Sequence, residues 1–187
     1  MQMNTALKRL FSCDLSDLLA ALPAPSDPVW DTFRGRQRVF KAHGHTRSIA
    51  VKWCELASTK AFPDVVEPLY VPPPLREAAN RCGKRFEDYY AGTAVTLLLA
   101  ELAPGEDVPM HRDSGPVLTQ CHRCHIPIVT DPNVQFIVDD EVFHLEAGQA
   151  YEFDNMRRHG VKNRSNTPRV HLICNVIPSG GLQTSAA

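Results

Sequence analysis

Residues 94–100, Ala-Val-Thr-Leu-Leu-Leu-Ala, are the longest apolar run of the chain, and they open a half that consists of short strand-like segments. The run has the length and composition of a buried strand, and it falls well short of the roughly 18 apolar residues that a membrane span needs. Turn signals such as Pro104–Gly105 and Ala147–Gly148 follow it at short intervals. They divide the second half into eight predicted strands, over 94–102, 108–113, 119–128, 134–138, 141–144, 149–153, 158–163 and 168–176.

Eight short strands within about eighty residues predict a mainly β protein, a double-stranded β-helix of the jelly-roll or cupin type with a few flanking helices. The first half predicts mixed elements: a strand over 7–13, a short helix over 14–22, a hairpin of Val39–Phe40 with Ile49–Trp53, and a helix over 75–89. We therefore expect a single domain over 1–177, with α/β elements in 1–90 and the β-helix core in 94–177. Residues 178–187 are expected to form a flexible tail.

Composition places the chain among globular proteins and argues against several function classes. The 187 residues are 43% hydrophobic and carry a formal net charge of -1, so bulk charge does not indicate nucleic-acid binding. No apolar run suits a membrane span or an export signal, which predicts a cytoplasmic protein without membrane contact. The cysteines are then expected to be reduced thiols: Cys13, Cys54, Cys82, Cys121, Cys124 and Cys174.

Six of the eight histidines lie between residues 111 and 171, and two of them form a metal-binding pattern with a carboxylate. In His111-Arg112-Asp113 the imidazole and the carboxylate are two residues apart, so they point to the same side of an extended chain. A second imidazole, His159, follows Asp113 by 46 residues. Two histidines and a carboxylate on one face of a metal leave the opposite positions open, which is the ligand set of non-haem Fe(II) oxygenases. We expect O2 and a cosubstrate to use those open positions.

Two pairs of cationic or hydrogen-bonding side chains accompany this pattern. Arg169 follows His159 by ten residues and shares a strand face with His171, and Arg123 shares one with His125. An arginine that points into a barrel needs an anion, because a buried guanidinium without a partner is very costly. A carboxylate is its bidentate partner, so a small dianion such as 2-oxoglutarate suits these pairs beside an iron site. The role of His171 stays open, since its ring can equally donate to a backbone carbonyl.

The ordered motifs of residues 94–177 resemble the aspartyl/asparaginyl β-hydroxylase family of Fe(II)- and 2-oxoglutarate-dependent oxygenases. The motifs that carry the resemblance are His111-x-Asp113, Arg123-x-His125-Ile126-Pro127, Phe143-His144-Leu145-x-x-Gly148, Phe153-Asp154, His159-x-Val161-x-Asn163 and Arg169-Val170-His171-Leu172. By this resemblance the catalytic iron ligands are His111, Asp113 and His159. The residues that hold 2-oxoglutarate are, in the same way, Arg123, His125 and Arg169.

The resemblance implies hydroxylation of a carbon of an amino acid, either free or as an Asp/Asn-type residue in a peptide or protein, with release of succinate and CO2. Some family members have glycine at the position of Asp113, so the carboxylate here implies a full three-ligand site. The residues before 94 match no motif of the family. The substrate is therefore left open.

Other interpretations use the same residues. A non-catalytic cupin-like module could bind a metal or a small carboxylate in the same cavity, but such a module has no need of Arg169. A zinc hydrolase at the triad lacks a general base other than Asp154, which is also the replacement ligand if Asp113 is not one. Residues 121–125, Cys-His-Arg-Cys-His, match the attachment motif of c-type haem and offer two thiols to zinc. We expect this match to be fortuitous, because neither an export signal nor a second close ligand pair accompanies it.

Several polar residues are expected to be structural. His122 lies on the opposite strand face from Arg123, and His144 precedes a turn, so packing accounts for both. Between residues 31 and 52 the chain has a local surplus of five positive charges, from Arg34, Arg36, Arg38, Lys41, Arg47 and Lys52 against Asp31. A solvated hairpin face and a docking strip for an acidic substrate both account for this surplus.

Overall fold

The computed structural model describes residues 3–34 and 44–183, and within them it shows eleven strands and a few short or medium helices. The strands are β1 (Leu7–Ser12), β2 (Thr46–Cys54), β3 (Val65–Val66), β4 (Gly92–Leu102), β5 (Asp107–His111), β6 (His122–Val129), β7 (Val134–Val138), β8 (Glu141–Phe143), β9 (Gln149–Phe153), β10 (His159–Asn163) and β11 (Arg169–Pro178). The helices are α1 (Ser16–Ala21), a 3-10 turn (Pro28–Asp31), α2 (Pro73–Tyr90) and α3 (Pro116–Gln120).

The strands form two antiparallel sheets. The larger sheet has seven strands in the order β1-β9-β6-β11-β4-β2-β3, and the smaller has four in the order β5-β10-β7-β8. Apart from the neighbouring pair β7 and β8, consecutive strands of the second half alternate between the two sheets, which is how a double-stranded β-helix is wound. The predicted fold class is therefore confirmed, as are the eight strands of the second half, apart from differences at their ends.

Helix α2 covers the outer face of the larger sheet. Its buried face carries Leu75, Ala79 and Phe86 at helical spacing, and these side chains pack in one cluster with Leu99 of β4 and Leu172 of β11. Leu99 and Leu172 are opposite each other in the β4–β11 register. Because successive strand residues point to opposite faces, this packing turns the neighbours of Leu172 toward the space between the sheets.

The inner face of β11 is unusually polar. Arg169, His171, Ile173 and Asn175 alternate with Leu172 and its apolar neighbours, and all four are at most 4% exposed. Strand β6 lies beside β11 and places His125 opposite Ile173 and Arg123 opposite Asn175. Polar side chains from two neighbouring strands therefore meet in the interior, where each needs a hydrogen-bonding or charged partner.

The connection between β5 and β6 differs from its prediction. The predicted strand over 119–128 begins only at His122, because residues 116–120 form α3, which Pro116 starts at a position suited to proline. The predicted strand over 108–113 ends at His111. Asp113 therefore lies in the loop after β5, where its backbone N–H donates to the carbonyl of Asn155 at 3.2 Å.

The N-terminal half agrees with its prediction in part. Strand β1 and helices α1 and α2 lie within two residues of their predicted limits, and β2 contains the predicted strand Ile49–Trp53. The other strand of the predicted hairpin, Val39–Phe40, lies outside the described residues. In the described chain β2 instead pairs with β4 on one side and with the short β3 on the other.

The predicted basic strip is partly neutralised where the structure describes it. Arg34 pairs with Asp31 and Arg47 pairs with Glu101, each at 2.6 Å. Three further residues of the strip lie outside the described ranges: Arg36, Arg38 and Lys41.

Most of the segment predicted as a flexible tail makes contacts. Leu182 is only 4% exposed, and its N–H donates to the carbonyl of Ala61 at 2.7 Å. The N–H of Gln183 donates to the side-chain oxygen of Gln120 at 2.6 Å. Residues 184–187 lie outside the described part of the chain. Of the helices that the structure describes, none is long and apolar enough to cross a membrane.

Gly160 lets β10 approach β5 closely. A Cβ atom at this position would lie 2.8 Å from the carbonyl oxygen of Val108 and 2.9 Å from the sulfur of Met110, both of which belong to β5. The first of these contacts is with backbone, which cannot move aside without shifting the strand. The pairing of β10 with β5 therefore depends on the absence of a side chain at residue 160.

We expect Gly160→Ala to lower the free energy of unfolding by about 1–3 kcal/mol, the usual range for overpacking. Urea denaturation of the two proteins measures the difference. Gly180→Ala is the matched control, because a Cβ at residue 180 meets nothing within 4 Å, and its effect should stay within about 0.5 kcal/mol. Equal effects of the two substitutions would contradict the close approach of β10 and β5.

Candidate metal centre

Three predicted ligands meet at one end of the space between the sheets. His111 is the last residue of β5 and His159 is the first of β10, and the two are paired in the antiparallel register. Asp113, in the loop after β5, places its Oδ1 atom 3.9 Å from His111 Nε2 and 4.0 Å from His159 Nε2. All three potential ligand atoms lie within 4.8 Å of one another. Within residues 3–34 and 44–183, this is the one group of histidine, cysteine or carboxylate side chains with such a spacing.

Both imidazoles are oriented by backbone carbonyls. His111 Nδ1 lies 2.7 Å from the carbonyl oxygen of Pro109, and His159 Nδ1 lies 3.0 Å from that of Arg157. A carbonyl oxygen only accepts, so each Nδ1 carries the hydrogen and each Nε2 is left with a lone pair directed at the triad. Histidines that bind metals in proteins are commonly held in this way through their second nitrogen.

The two oxygens of Asp113 have different partners. Oδ1 faces the two imidazoles, whereas Oδ2 lies 3.1 Å from Arg123 Nε and accepts a hydrogen bond from Asn155 Nδ2 at 3.1 Å. Burial alone would raise the pKa of Asp113, but the charge of Arg123, supported by His159, Asn155 and His111, outweighs it and lowers this pKa. The carboxylate is therefore ionised at neutral pH, with one oxygen held and the other directed at the triad.

His159 is uncharged at neutral pH. Burial is the main cause that lowers its pKa, to about 4, and it exceeds the opposing effect of the Asp113 charge. A neutral imidazole with a free Nε2 and an ionised carboxylate are the protonation states in which these groups bind a divalent metal.

Asp154 does not join the triad but holds the turn before His159. Its buried carboxylate accepts from the N–H groups of Met3 at 3.0 Å and Met156 at 3.1 Å, and it lies 3.4 Å from Arg157 Nε. This turn presents the Arg157 carbonyl that orients His159. Through these contacts Asp154 holds the turn that orients His159, whereas it is not one of the three grouped ligand atoms.

The predicted cosubstrate residues Arg169 and His125 meet at His171, on the neighbouring strands β11 and β6. Arg169 Nη2 donates to His171 Nδ1 at 2.6 Å, and His125 Nδ1 lies 3.4 Å from the same His171 nitrogen. Burial, followed by the charge of Arg169, lowers the pKa of His171, so this ring is neutral and can accept from the guanidinium. The sequence left the partner of His171 open, and in the structure its ring accepts from the Arg169 guanidinium.

A small cavity of about 30 Å³ connects Arg169 to the triad. Its lining includes His111, His159 and His125, while Phe136 and Phe153 supply apolar walls. Arg169 is only 4% exposed. A buried guanidinium and a metal-binding group that border the same cavity suit a small anion that contacts both.

Arg123 lies between this cavity and another one. Its Nη1 donates to Asn175 Oδ1 at 2.9 Å, and its Nε faces Asp113. The second cavity also has a volume of about 30 Å³ and borders His111, Asp113 and Arg123. Its other walls come from residues outside the sequence motifs: Trp53, Leu56, Thr96, Leu98, Leu118 and Asn175. Residues of the triad therefore border two cavities, and Arg123 lines both of them.

Sequence reasoning missed two residues that organise the site. Asn175 follows Arg169 and His171 at even spacing on β11, so the alternation that pointed to those residues could also have found it. Asn155 had no such signal. Its side-chain amide donates to Asp113 and, at 2.7 Å, to the carbonyl of Leu118. Both partners are distant from Asn155 in sequence, so no local pattern points to these contacts.

The remaining predictions around the triad concern structural residues. His122 points away from the interior, stacks on Tyr90 with ring centroids 3.8 Å apart and contacts Glu152 at 2.7 Å. Its structural role agrees with the prediction. Cys121 and Cys124 are buried, and burial raises the pKa of both thiols, that of Cys121 to about 12. Protonated thiols of this kind are poor ligands for zinc.

The buried neutral state of His159 predicts how stability depends on pH. A histidine in the unfolded chain titrates near 6.5, so as the pH falls the unfolded state binds this proton before the folded state does. The free energy of unfolding of the metal-free protein should therefore decrease between pH 6.5 and 4, with about 2–3 kcal/mol lost through His159 at pH 4.5. Urea denaturation at pH 7 and 4.5 measures this loss.

His159→Gln is the comparison for this prediction. The variant lacks the titrating group, so its stability should change less over the same pH interval, while His171 contributes equally to both proteins. The same pH dependence in the variant and the wild type would show that His159 is not held in its neutral form.

Comparisons with known proteins agree with this geometry. A model of the aspartyl/asparaginyl beta-hydroxylase family matches residues 77–178. Among solved structures, an oxidoreductase of the 2OG-Fe(II) oxygenase family from Burkholderia pseudomallei is 15% identical, with a TM-score of 0.56 over 95% of this chain and 98% of that chain. The viral collagen prolyl hydroxylase of Paramecium Bursaria Chlorella virus-1 is 7% identical, with a TM-score of 0.59 over 94% and 97%.

At these identities the solved structures show a shared fold. No curated protein sequence matches the chain. The family model, in contrast, spans more than half of the sequence and includes both histidines and the carboxylate of the triad. On this match, the chain belongs to the aspartyl/asparaginyl beta-hydroxylase family.

Proposed function

We propose that this enzyme is an Fe(II)- and 2-oxoglutarate-dependent dioxygenase that hydroxylates a carbon of an amino acid, either free or as an Asp/Asn-type residue of a peptide, and releases succinate and CO2. The observation that carries the proposal is the position of Arg169, which is buried and lines the same cavity as His111 and His159 of the triad. A cupin that only binds a metal has no use for a buried guanidinium at that place.

The donor set fits Fe(II). His111 and His159 offer their Nε2 atoms, and Asp113 offers one ionised oxygen, which together are the two-histidine, one-carboxylate set of non-haem iron sites. These three residues are the proposed ligands. Bound Fe(II) and 2-oxoglutarate supply the activation of O2 that hydroxylation requires and that no side chain can provide.

The chain's own residues bind and orient the cosubstrate. Arg169 is the proposed partner of its distant carboxylate, and the bond to His171 fixes the guanidinium in the direction of the cavity. His125 and Arg123 also line this cavity and are the other proposed cosubstrate contacts.

The second cavity is the proposed place of the substrate. Trp53 and Leu98 give it apolar walls next to His111 and Asp113. Asn175 Nδ2 is buried and has no hydrogen-bond partner among the described residues, although Asn175 Oδ1 accepts from Arg123. An amide donor in this state favours a ligand with an oxygen acceptor, such as the carboxylate or carbonyl of an amino acid or peptide.

The central experiment measures succinate formed from 2-oxoglutarate by the purified protein, with and without Fe(II), in the presence of free amino acids and short Asp- or Asn-containing peptides. We expect succinate release that requires Fe(II), and we expect His159→Ala to lose both this release and bound iron. His122→Ala, which changes a histidine outside the cavity, should keep most of the activity. Wild-type protein that binds iron but never forms succinate would instead indicate a non-catalytic binding module.

A second experiment separates cosubstrate binding from metal binding. Arg169→Met removes a charge-assisted contact remote from the triad, so the KM for 2-oxoglutarate should rise about 10- to 100-fold while the iron content stays unchanged. Arg164→Met is the matched control, because Arg164 is exposed and pairs with Asp107 at 2.6 Å on the surface. Equal loss of iron and 2-oxoglutarate in the Arg169 variant would mean that the substitution disrupts the barrel rather than a binding contact.

A further inference from the structure

Two cysteines remote from the triad share a surface cleft. The cleft has a volume of about 200 Å³ and lies where the end of β1, α1 and α2 meet. Cys13, just after β1, and Cys82, in the middle of α2, both line it and are 9% and 6% exposed. Both side chains also belong to one cluster of packed, buried residues. Two thiols that line the same cleft are thus reachable from solvent by a small molecule.

The charges around the cleft favour a thiolate at Cys13. Arg85 donates to the carbonyl of Ser12 at 2.5 Å and its guanidinium lies 4.5 Å from the centre of the Phe11 ring, which keeps it beside Cys13. The hydrogen bond from Cys82 and the charge of Arg85 lower the pKa of Cys13 against the effect of burial, while the pKa of Cys82 is raised. Cys13 is therefore the more nucleophilic thiol and Cys82 holds a proton.

The acidic side chains of the cleft do not cancel this effect. Asp17 is paired with Arg81 at 2.5 Å, and Asp14 accepts hydrogen bonds from the backbone N–H and hydroxyl of Ser16. Both carboxylates are thus directed at other partners, and Arg85 is left as the charge that acts on Cys13.

A second pair of cysteines provides an internal comparison. Cys124 of β6 and Cys174 of β11 are opposite each other in the sheet, so they too are neighbours. Both are fully buried, and burial raises the pKa of both thiols. Cys124 and Cys174 are thus neighbours that are closed to solvent and protonated. Cys13 and Cys82, in contrast, line an open cleft, and the pKa of Cys13 is lowered.

We propose that Cys13 and Cys82 form a redox-active dithiol that hydrogen peroxide converts into a disulfide. The Cys13 thiolate attacks one peroxide oxygen, the O–O bond breaks, and the departing hydroxide takes up a proton to become water, which leaves Cys13 as a sulfenic acid. The Cys82 sulfur then displaces the sulfenic oxygen, which leaves with the Cys82 proton as a second water. Two thiols lose two electrons in total, and one peroxide gains them.

The position of the pair gives the disulfide a structural effect. It joins the end of β1 to α2 across 69 positions of sequence. Strand β1 is an edge strand that pairs with β9, and the segment before it donates from Met3 N to Asp154, which holds the turn before His159. Oxidation therefore links β1, whose preceding segment contacts Asp154, covalently to α2.

The test uses the full chain with a chelator present, a small excess of hydrogen peroxide, alkylation of free thiols and digestion with trypsin. We expect one cross-link, between the peptide of residues 10–34 and the tripeptide Cys82-Gly83-Lys84. Four alkylated cysteines should remain, and dithiothreitol should reverse the reaction. In Cys82→Ala, where no disulfide can form, dimedone should label Cys13.

Two results would overturn the proposal. One is a cross-link between Cys124 and Cys174 that forms as fast as the expected one, since proximity alone would then decide the reaction. The other is full alkylation of Cys13 and Cys82 after peroxide treatment. The oxidised protein should also melt higher than the reduced protein, by about 5 °C or more, because the cross-link constrains the unfolded chain. Equal Tm values of the oxidised and reduced proteins would refute a cross-link between β1 and α2.

Discussion

The site depends on the ion pair between the buried carboxylate of Asp113 and Arg123. An ionised group in the interior is tolerated only when partners replace its hydration, and Arg123 and Asn155 do so at Oδ2. Arg123 belongs to the larger sheet, whereas Asp113 follows a strand of the smaller one. The ion pair therefore fixes the two sheets relative to each other at the point where the imidazoles converge. The free Oδ1 is a consequence of this geometry, because Oδ2 is already committed.

The larger sheet can accept so many polar side chains on its inner face because its outer face is apolar and covered. Leu172 and its neighbours pack under α2, and this packing does not depend on what the inner face carries. The two inner guanidinium groups then have defined partners: Arg169 donates to His171, and Arg123 donates to Asn175. Because one face of β11 packs under α2, its other face can carry the cationic and polar side chains in the interior.

The part of the structure that follows from local periodicity was predictable from the sequence. The alternation on β11 pointed to Arg169 and His171, and the spacing of His111 and Asp113 pointed to a shared ligand group even though Asp113 lies beyond the strand end. The contacts between distant segments were not predictable. Helix α3 interrupts a run that reads as a strand, and the Asn155 amide donates to Asp113 and to Leu118 of α3, both of which are remote from Asn155 in sequence. No periodic pattern carries that information.

The first half of the chain supplies what the ligand motif lacks. Trp53 of β2 closes the cavity beside His111 and Asp113, and its ring packs on Phe33 at a centroid distance of 4.8 Å. In the proposed function, the triad and the Arg169 guanidinium bind the metal and the cosubstrate, and Trp53 and Asn175 line the cavity beside His111 and Asp113. On that proposal, substrate choice is expected to depend on the shape and hydrogen bonding of this cavity wall rather than on the family motifs.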